Sequence, residues 1–394
     1  MAALEQFTPE SAVVRMRHVA EIAARHAGEV DREGRFPRET LAALKENRLL
    51  GLAIPAKFGG ENAGIAEIAD LCGILGQACG SSAMVFAMHQ IKLQSLVSHG
   101  LTSEWHRSFA REVASKQLLL ASSTTEAGIG GDLRNSICAV EVTGERFTLV
   151  KDAPVISYAS HADAILATAR RAPDAASGDQ VLVVLRAGQD FTLDKTVNWD
   201  TLGMRGTCSE GFKLSAQGHV DQIIPKPFSE IAAQSMLATS HIFWSSLWFG
   251  IAADAMARAQ AFVRAAAKRQ PGSLPPGALR LAEATAKLHD MKATVKAGIG
   301  RYEAALKADA ELSSIGFAVA MNNLKVSAST MGAEIIQLAL LITGISGYKN
   351  DTPYSVGRHL RDALSAIVMI SNDRILANTS NLLLVSRFDT SLLG

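Results

Sequence analysis

Asp200-Thr-Leu-Gly-Met-Arg-Gly-Thr-Cys-Ser-Glu-Gly-Phe212 decides the fold of this chain when it is read with a second glycine-rich stretch, Thr124-Thr-Glu-Ala-Gly-Ile-Gly-Gly-Asp132. Both lie in a segment, residues 119–229, where the hydrophobic pattern has period two. Ile137–Val142, Arg146–Val150, Ala164–Ala169 and Gln180–Leu185 are short and rich in β-formers, and turns such as Thr143-Gly-Glu145 and Ser177-Gly-Asp179 separate them. Several such strands in so short a segment predict a small barrel or sandwich. Toward the N-terminus the period is helical: Val13, Met16, Val19, Ile22 and Ala23 recur at three and four, with Arg and Glu in the gaps. Pro37 opens a second helix ending near Leu50, and Pro55 with Gly59 and Gly60 breaks the run that follows. Beyond residue 230 long helical patterns return, interrupted at Pro271, Pro275 and Pro276 and again at Gly344, Gly347 and Pro353. The expected layout is α+β in three parts: an all-α domain over 1–118, a β-barrel over 119–229 and a helical bundle over 230–394.

A chain of 394 residues, 48% hydrophobic and 20% charged, is long enough for several subdomains with large cores. Basic and acidic side chains number 39 and 38 and form no long single-sign run, which argues against a nucleic-acid partner. Cys72, Cys79, Cys138 and Cys208 have neither zinc-site spacing nor the density of a disulfide framework, as expected of structural thiols in a reducing compartment. The N-terminal stretch carries Glu5 and Glu10 and lacks the basic-then-apolar order of a signal peptide. Ile242–Ala253, the most apolar helical stretch by pattern, is broken by Ser245 and Ser246 and falls short of the ~20 residues of a membrane span. The expectation is a cytoplasmic protein with no membrane partner.

The two glycine-rich stretches resemble two signatures of the acyl-CoA dehydrogenase superfamily. Leu50–Gly60 resembles the family's Gly-Leu-x-x-Pro-x-x-Tyr-Gly-Gly turn, with Phe58 at the Tyr position, and Val155-Ile-Ser-Tyr-Ala-Ser160 resembles its Trp-Ile-Thr-Asn-Gly strand, with Val155 at the Trp position. Lys268-Arg-Gln-Pro-Gly272 is similar to an Arg-x-x-Phe-Gly segment; Gly344-Ile-Ser-Gly-Tyr348 and Arg358-His-Leu-Arg-Asp-Ala363 are similar to a Gly-Gly-x-Gly-Tyr and Arg-Asp-Ala pair. These matches run in the family's order over essentially the whole chain. The resemblance implies FAD held between barrel and helices, with Thr125 at the pyrimidine edge of the ring, Ser157 beside N5, and Gly130 and Gly131 allowing close backbone approach. It further implies that Lys268, or the adjacent Arg269, reaches a neighbouring subunit's FAD phosphates, and that the loop of Gly344 and Gly347 touches the dinucleotide. A homodimer or homotetramer follows from those cross-subunit roles. Read by themselves, Lys268 and Arg269 are equally a solvated pair complementing a helix dipole. Gly131 stands where many relatives have a Ser that contacts the substrate's pantetheine arm.

Desaturating an acyl thioester requires a carboxylate to take the α-proton while the β-hydrogen leaves as hydride to flavin N5. At the two places where the resemblance locates that carboxylate this chain has Ile370 and Ser240. Three explanations compete. The base has moved to Asp373, close to the same helix face if the helix continues, although Asp373 and Arg374 also read as a solvated pair. Alternatively the chemistry is that of oxygen, with His89 on a helix bordering the acyl pocket, a residue that reads equally as a satisfied core histidine. The third is a non-catalytic flavin-binding scaffold. The leading expectation is an FAD-dependent oxidoreductase acting on the CH–CH group of an acyl thioester and passing electrons to an acceptor; the alternative is a reduced-flavin-dependent monooxygenase served by a flavin reductase.

Overall fold

The computed structural model describes residues 10–387 and 390. Five helices come first: α1 (Ala12–Glu33), α2 (Arg38–Glu46), α3 (Ile65–Ala78), α4 (Gly80–His99) and α5 (Glu104–Lys116). Ser11 opens α1 by accepting the Val14 N–H, and Gly34, left-handed at φ 62°, closes it. Seven strands follow: β1 (Leu120–Ser123), β2 (Glu141–Thr143), β3 (Arg146–Ala153), β4 (Ala164–Arg170), β5 (Gln180–Arg186), β6 (Phe191–Val197) and β7 (Gly211–His219). The rest is helical: α6 (Phe228–Ile231) runs through a π segment, Ala232–Met236, into α7 (Leu237–Arg269). Then come α8 (Ala278–Ala305), α9 (Asp309–Leu312), α10 (Ile315–Thr343), α11 (Ile345–Tyr348), α12 (Gly357–Val368) and α13 (Asn372–Leu383).

The strands form two sheets, ordered β1-β4-β5 and β2-β3-β7-β6, with β1 parallel to β4 and every other pair antiparallel. β3 alternates exposed and buried at every residue, as a sheet with one wet face requires. β4 and β5 are buried at all but their last residues, because helices α4 and α6 cover the sheet they belong to. The two sheets are tied to each other by side chains. Lys151 on β3 is fully buried and its Nζ donates across to Thr168 O (2.7 Å) and Thr168 Oγ1 (3.0 Å) on β4. The expected strand at Ile137–Val142 shortens to β2 plus one bridge, Ala139 to Arg170. The N–H groups of Ile137 and Cys138 go instead to the Glu126 carboxylate.

In the bundle, α3 lies so close to α7 that a Cβ on Gly250 would stand 2.2 Å from Gly73 O, which joins the N- and C-terminal helices into one core. Among the described residues one helix, α10, is long and apolar enough to cross a membrane, whereas the sequence pattern singles out Ile242–Ala253; half of that helix's apolar window is buried, and it packs on α7, α8 and α12.

The stretch 200–212 is where all parts meet. Met204 N donates to Asp362 Oδ1 on α12 at 2.7 Å, Gly206 N to Ser81 Oγ on α4 at 3.2 Å, and Arg205 Nε to Asp31 O on α1 at 2.8 Å. Tyr158 N, from the barrel, donates to Thr207 O at 2.9 Å. Gly203 and Gly206 have no room for a side chain: a Cβ would lie 2.2 Å from Arg361 O in the first case and 2.3 Å from Val30 Cγ1 in the second. Arg361 forks onto both Asp31 oxygens and closes the ring of contacts.

Asp362 is buried, and burial pushes its carboxyl up to about 6, against the opposing pull of Arg358 and of the Met204 N–H. A raised carboxyl means the folded state holds the proton more tightly than the unfolded chain. Its contribution to stability therefore falls as pH rises from the ordinary carboxylate range to about 6 and is constant above. Asp362→Asn keeps an oxygen for Met204 N and removes the charge, so urea unfolding at pH 4.5 and pH 7 should show a smaller loss between the two than in the parent chain. Asp362→Ala should destabilise at both values by about 1–3 kcal/mol, because it strands the Met204 N–H; an unchanged midpoint would show that this bond carries no weight.

Candidate functional site

The loop after β1 is built around Glu126. Its carboxylate is buried and accepts from Ser136 Oγ (2.7 Å), Ile137 N (3.1 Å) and Cys138 N (2.5 Å), with Lys151 Nζ 3.9 Å away. Thr125 Oγ1 donates to Val155 O at 2.7 Å, so its hydroxyl oxygen is left to accept. Gly128, Gly130 and Gly131 are left-handed, at φ 87°, 60° and 77°. The N–H groups of residues 128–131 meet no protein acceptor among the described residues.

Facing this loop is a chain of hydroxyls whose direction is fixed at one end. Thr207 Oγ1 donates to Met204 O (2.9 Å) and must therefore accept from Ser209 Oγ (2.8 Å), which in turn accepts from Ser157 Oγ (2.7 Å). The Ser157 proton is thus committed to Ser209, and its outer lone pairs are acceptors. Such a hydroxyl suits a partner that carries an N–H.

At the base position the chain does not continue as one helix. Ile370 is left-handed at φ 51°, an unusual state for a β-branched residue, and separates α12 from α13. Buried Lys325 on α10 holds this junction, its Nζ donating to Ala366 O (2.9 Å), Ile370 O (2.6 Å) and Asn372 Oδ1 (2.7 Å); burial pulls its ammonium down to about 8. Asp373 is therefore not on the continued face of α12, as the sequence pattern implied, but exposed in the first turn of α13. Ser240 is buried and donates to Met236 O at 2.6 Å. His89 takes the core-histidine alternative and not the oxygen-chemistry one. It is fully buried, its Nδ1 accepts from Leu120 N (3.0 Å) and its Nε2 donates to Leu50 O (2.7 Å), so neither nitrogen is free for a reacting group. Burial pulls it down to about 4, and it is a neutral staple between the N-terminal helices and β1.

Lys268 and Arg269 are exposed at the end of α7. The turn that follows packs on the end of α10, with Gly277 against Ile342, and there Gly344 (φ 55°) stops the helix and buried Gly347 packs against Thr343. Among the described residues no hydrogen bond or ion pair joins this end of the bundle to the loop 124–132. The structure thus groups Thr125, Gly130, Gly131 and Ser157 on one side, and Lys268, Arg269, Gly344 and Gly347 on another.

Sequence reasoning missed Lys325, Glu126 and the Ser209–Thr207 relay. Only Lys325 left a signal, a lone cation in the apolar pattern of α10. The donors and acceptors present fit a flavin nucleotide: ring-side hydroxyls at Thr125 and Ser157, and unpartnered N–H groups at 128–131.

Residues 12–117 match the family model for the acyl-CoA dehydrogenase N-terminal domain and residues 231–370 that for the acyl-CoA dehydrogenase C-terminal domain. The chain belongs to the acyl-CoA dehydrogenase family, and membership indicates a flavin oxidoreductase. It is 27% identical to cyclohex-1-ene-1-carbonyl-CoA dehydrogenase of Geobacter metallireducens, across 87% of this chain and 88% of that one. Its fold is that of the FMN-bound TdsC of Paenibacillus sp. A11-2, a dibenzothiophene monooxygenase (TM-score 0.81, 17% identity, 96% of this chain and 98% of that one). Butyryl-CoA dehydrogenase of Megasphaera elsdenii shares it as well (TM-score 0.75, 20% identity, 94% and 98%).

Glu126→Ala should destabilise the chain by about 3–5 kcal/mol in urea unfolding, because it strands the buried Cys138 N–H, frees the part-buried Ile137 N–H and leaves Lys151 without its carboxylate. A loss below about 1 kcal/mol would mean water replaces the carboxylate and the loop does not depend on it.

Proposed function

We propose that the protein is a flavin-dependent monooxygenase that receives its flavin reduced, with FAD as the nucleotide the sequence motifs favour. One observation carries this reading: neither place that holds the desaturating carboxylate in the family motifs has an acid here, and the displaced candidate, Asp373, faces solvent across a helix break. Ser157 adds support, since an acceptor-only hydroxyl beside N5 favours the ring form that carries a proton there. A reduced flavin supplies the two electrons for oxygen activation when it is bound. This chain's part is to accept at N5 through Ser157, to accept at the pyrimidine edge through Thr125, and to keep the Ile370 junction rigid through Lys325.

A second reading, desaturation of an acyl thioester with Asp373 as base, is supported by the family match to a CoA-thioester dehydrogenase over most of both chains. Anaerobic mixing of flavin-loaded protein with a panel of acyl thioesters separates the two. The expected result is persistent flavin absorbance, with oxygen consumed only once a flavin reductase supplies electrons. Bleaching by a thioester without oxygen would overturn the monooxygenase reading; a further 10²–10⁴-fold slowing in Asp373→Asn would then assign the base.

We further propose that a second copy of the chain covers the bundle end that carries Gly344. Ile345 and Tyr348 are 69% and 72% exposed there, with exposed Leu341 at the end of α10, and these are the apolar side chains a second subunit would cover. Light scattering should give a dimer or tetramer, and Ile345→Glu with Tyr348→Ser should shift it toward smaller species. A monodisperse parent monomer would remove this part of the reading.

A further inference from the structure

Helix α4 carries a single Lys, Arg, Asp or Glu side chain, Lys92, and that side chain is buried. It stands about one turn beyond His89, the residue that ties α4 to β1, and so on the same side of the helix. Among the described residues its Nζ has one hydrogen-bond partner, the thioether Sδ of Met236 at 3.1 Å, a weak acceptor. The hydroxyls on and beside the π segment are engaged with helix carbonyls. Ser235 Oγ donates to Ile231 O (3.0 Å), Thr239 Oγ1 to Ser235 O (2.8 Å) and Ser240 Oγ to Met236 O (2.6 Å). Among the described residues no carboxylate pairs with Lys92; the charge that acts on it is another cation, Lys151, which adds to the effect of burial in pulling the ammonium down to about 7. Lys151 is held by Thr168, next to Ala167, the β4 partner of Ser123 at the end of β1. Ser123 Oγ is itself fully buried and unpaired.

Buried charges in folded chains are normally paired, because withdrawing an ammonium from water without an oxygen partner is unfavourable. The other two buried lysines follow that rule. Lys325 has three oxygen acceptors, and Lys151 has two with a carboxylate nearby. Lys92 has a sulfur and a like charge, so its oxygen acceptor has to come from outside the chain. We propose that Lys92 is a specificity-determining residue that anchors the anionic end of a small organic acid, a carboxylate or a sulfonate, between α4, the π segment and β1. An anionic oxygen supplies both things this ammonium lacks, an acceptor and an opposite charge, whereas a neutral carbonyl supplies only the first. The anchor adjoins the place of reaction: Met236, which Lys92 touches, receives the hydroxyl of Ser240, one of the two positions where the family motifs put the base. Helices depart from α to π geometry most often at functional sites, and this one does so at Met236. The assignment rests on the flavin oxidoreductase reading for its setting and deepens it by naming the substrate class, a molecule with an acidic group away from its reacting atom.

The test titrates the full chain by calorimetry with hexanoate and benzoate and with their neutral counterparts, hexanamide and benzamide. Lys92→Met keeps nearly the same volume without the charge. The parent should bind at least one acid about tenfold or more tightly than its amide, and Lys92→Met should erase that preference with amide affinity unchanged. A preference that survives in the variant overturns the anchor, as does an equal loss for acid and amide. Where Lys92→Met does not fold, Lys92→Gln, which keeps a donor and removes the charge, is read in the same way. A parent that prefers neither acid to its amide, whether or not it binds them, overturns the anchor without any variant. Sulfate displacing the acid as well as the acid displaces itself would mark a site for free inorganic anions and overturn the substrate assignment. Flavin content is read separately, by absorbance after denaturation. A chain that takes up no flavin yet shows the Lys92-dependent preference loses the flavin reading and keeps the anchor; a flavin-loaded chain without the preference keeps the reading and loses the anchor.

Discussion

The buried carboxylate of Asp362, accepting the Met204 N–H at 2.7 Å, is the constraint on which the arrangement of this protein depends. Removing a carboxylate from water is unfavourable, and the raised pKa of Asp362 records it. In return Met204 is held left-handed at φ 51°, and with it the turn through Thr207 and Cys208. Tyr158 and Cys208 are also left-handed, at φ 45° and 44°, so three non-glycine residues at one junction sit in a region that costs each about 1–2 kcal/mol. Such a cluster persists only where surrounding contacts over-determine it, and here α1, α4, α12 and the barrel all bond to the same few residues.

That junction reaches the site directly. Met204 O, fixed from the other side by Asp362, receives the Thr207 hydroxyl and the Trp199 N–H; Thr207 orders Ser209, and Ser209 orders Ser157. A carboxylate–amide hydrogen bond between α12 and this turn thereby sets the direction in which the Ser157 hydroxyl points its proton. Hydroxyls normally rotate to suit a ligand, but this one is oriented before any ligand arrives.

Three lysines are buried among the described residues. Lys325 braces the Ile370 junction, Lys151 ties the two sheets, and Lys92 on α4 points its ammonium at Met236 Sδ (3.1 Å), with burial pulling it down to about 7. Glu126 faces one of them and is fully engaged with the loop.

The three-part layout was legible in the sequence because helical and strand periods are local properties, written in residues three, four or two apart. The glycine stretches were legible for the same kind of reason, since positive φ and tight backbone contact leave few other choices at Gly131, Gly203 and Gly206. Tertiary structure decided the rest. Nothing local marks Ile370 as left-handed; Lys325, 45 residues away, provides the partner for its carbonyl, and that break removes Asp373 from the face that a continuous helix would have given it. His89 reads either as a pocket-side imidazole or as a satisfied core histidine, and the convergence of Leu50 and Leu120 on both its nitrogens makes it the second. Arg374 reads as half of a surface pair until α13 lays it on Gly131. Local pattern establishes which segments fold and where the backbone must bend. Which side chains face one another across those segments was decided by packing between distant parts of the chain, because a hydrogen bond depends on tenths of an ångström that no local pattern records.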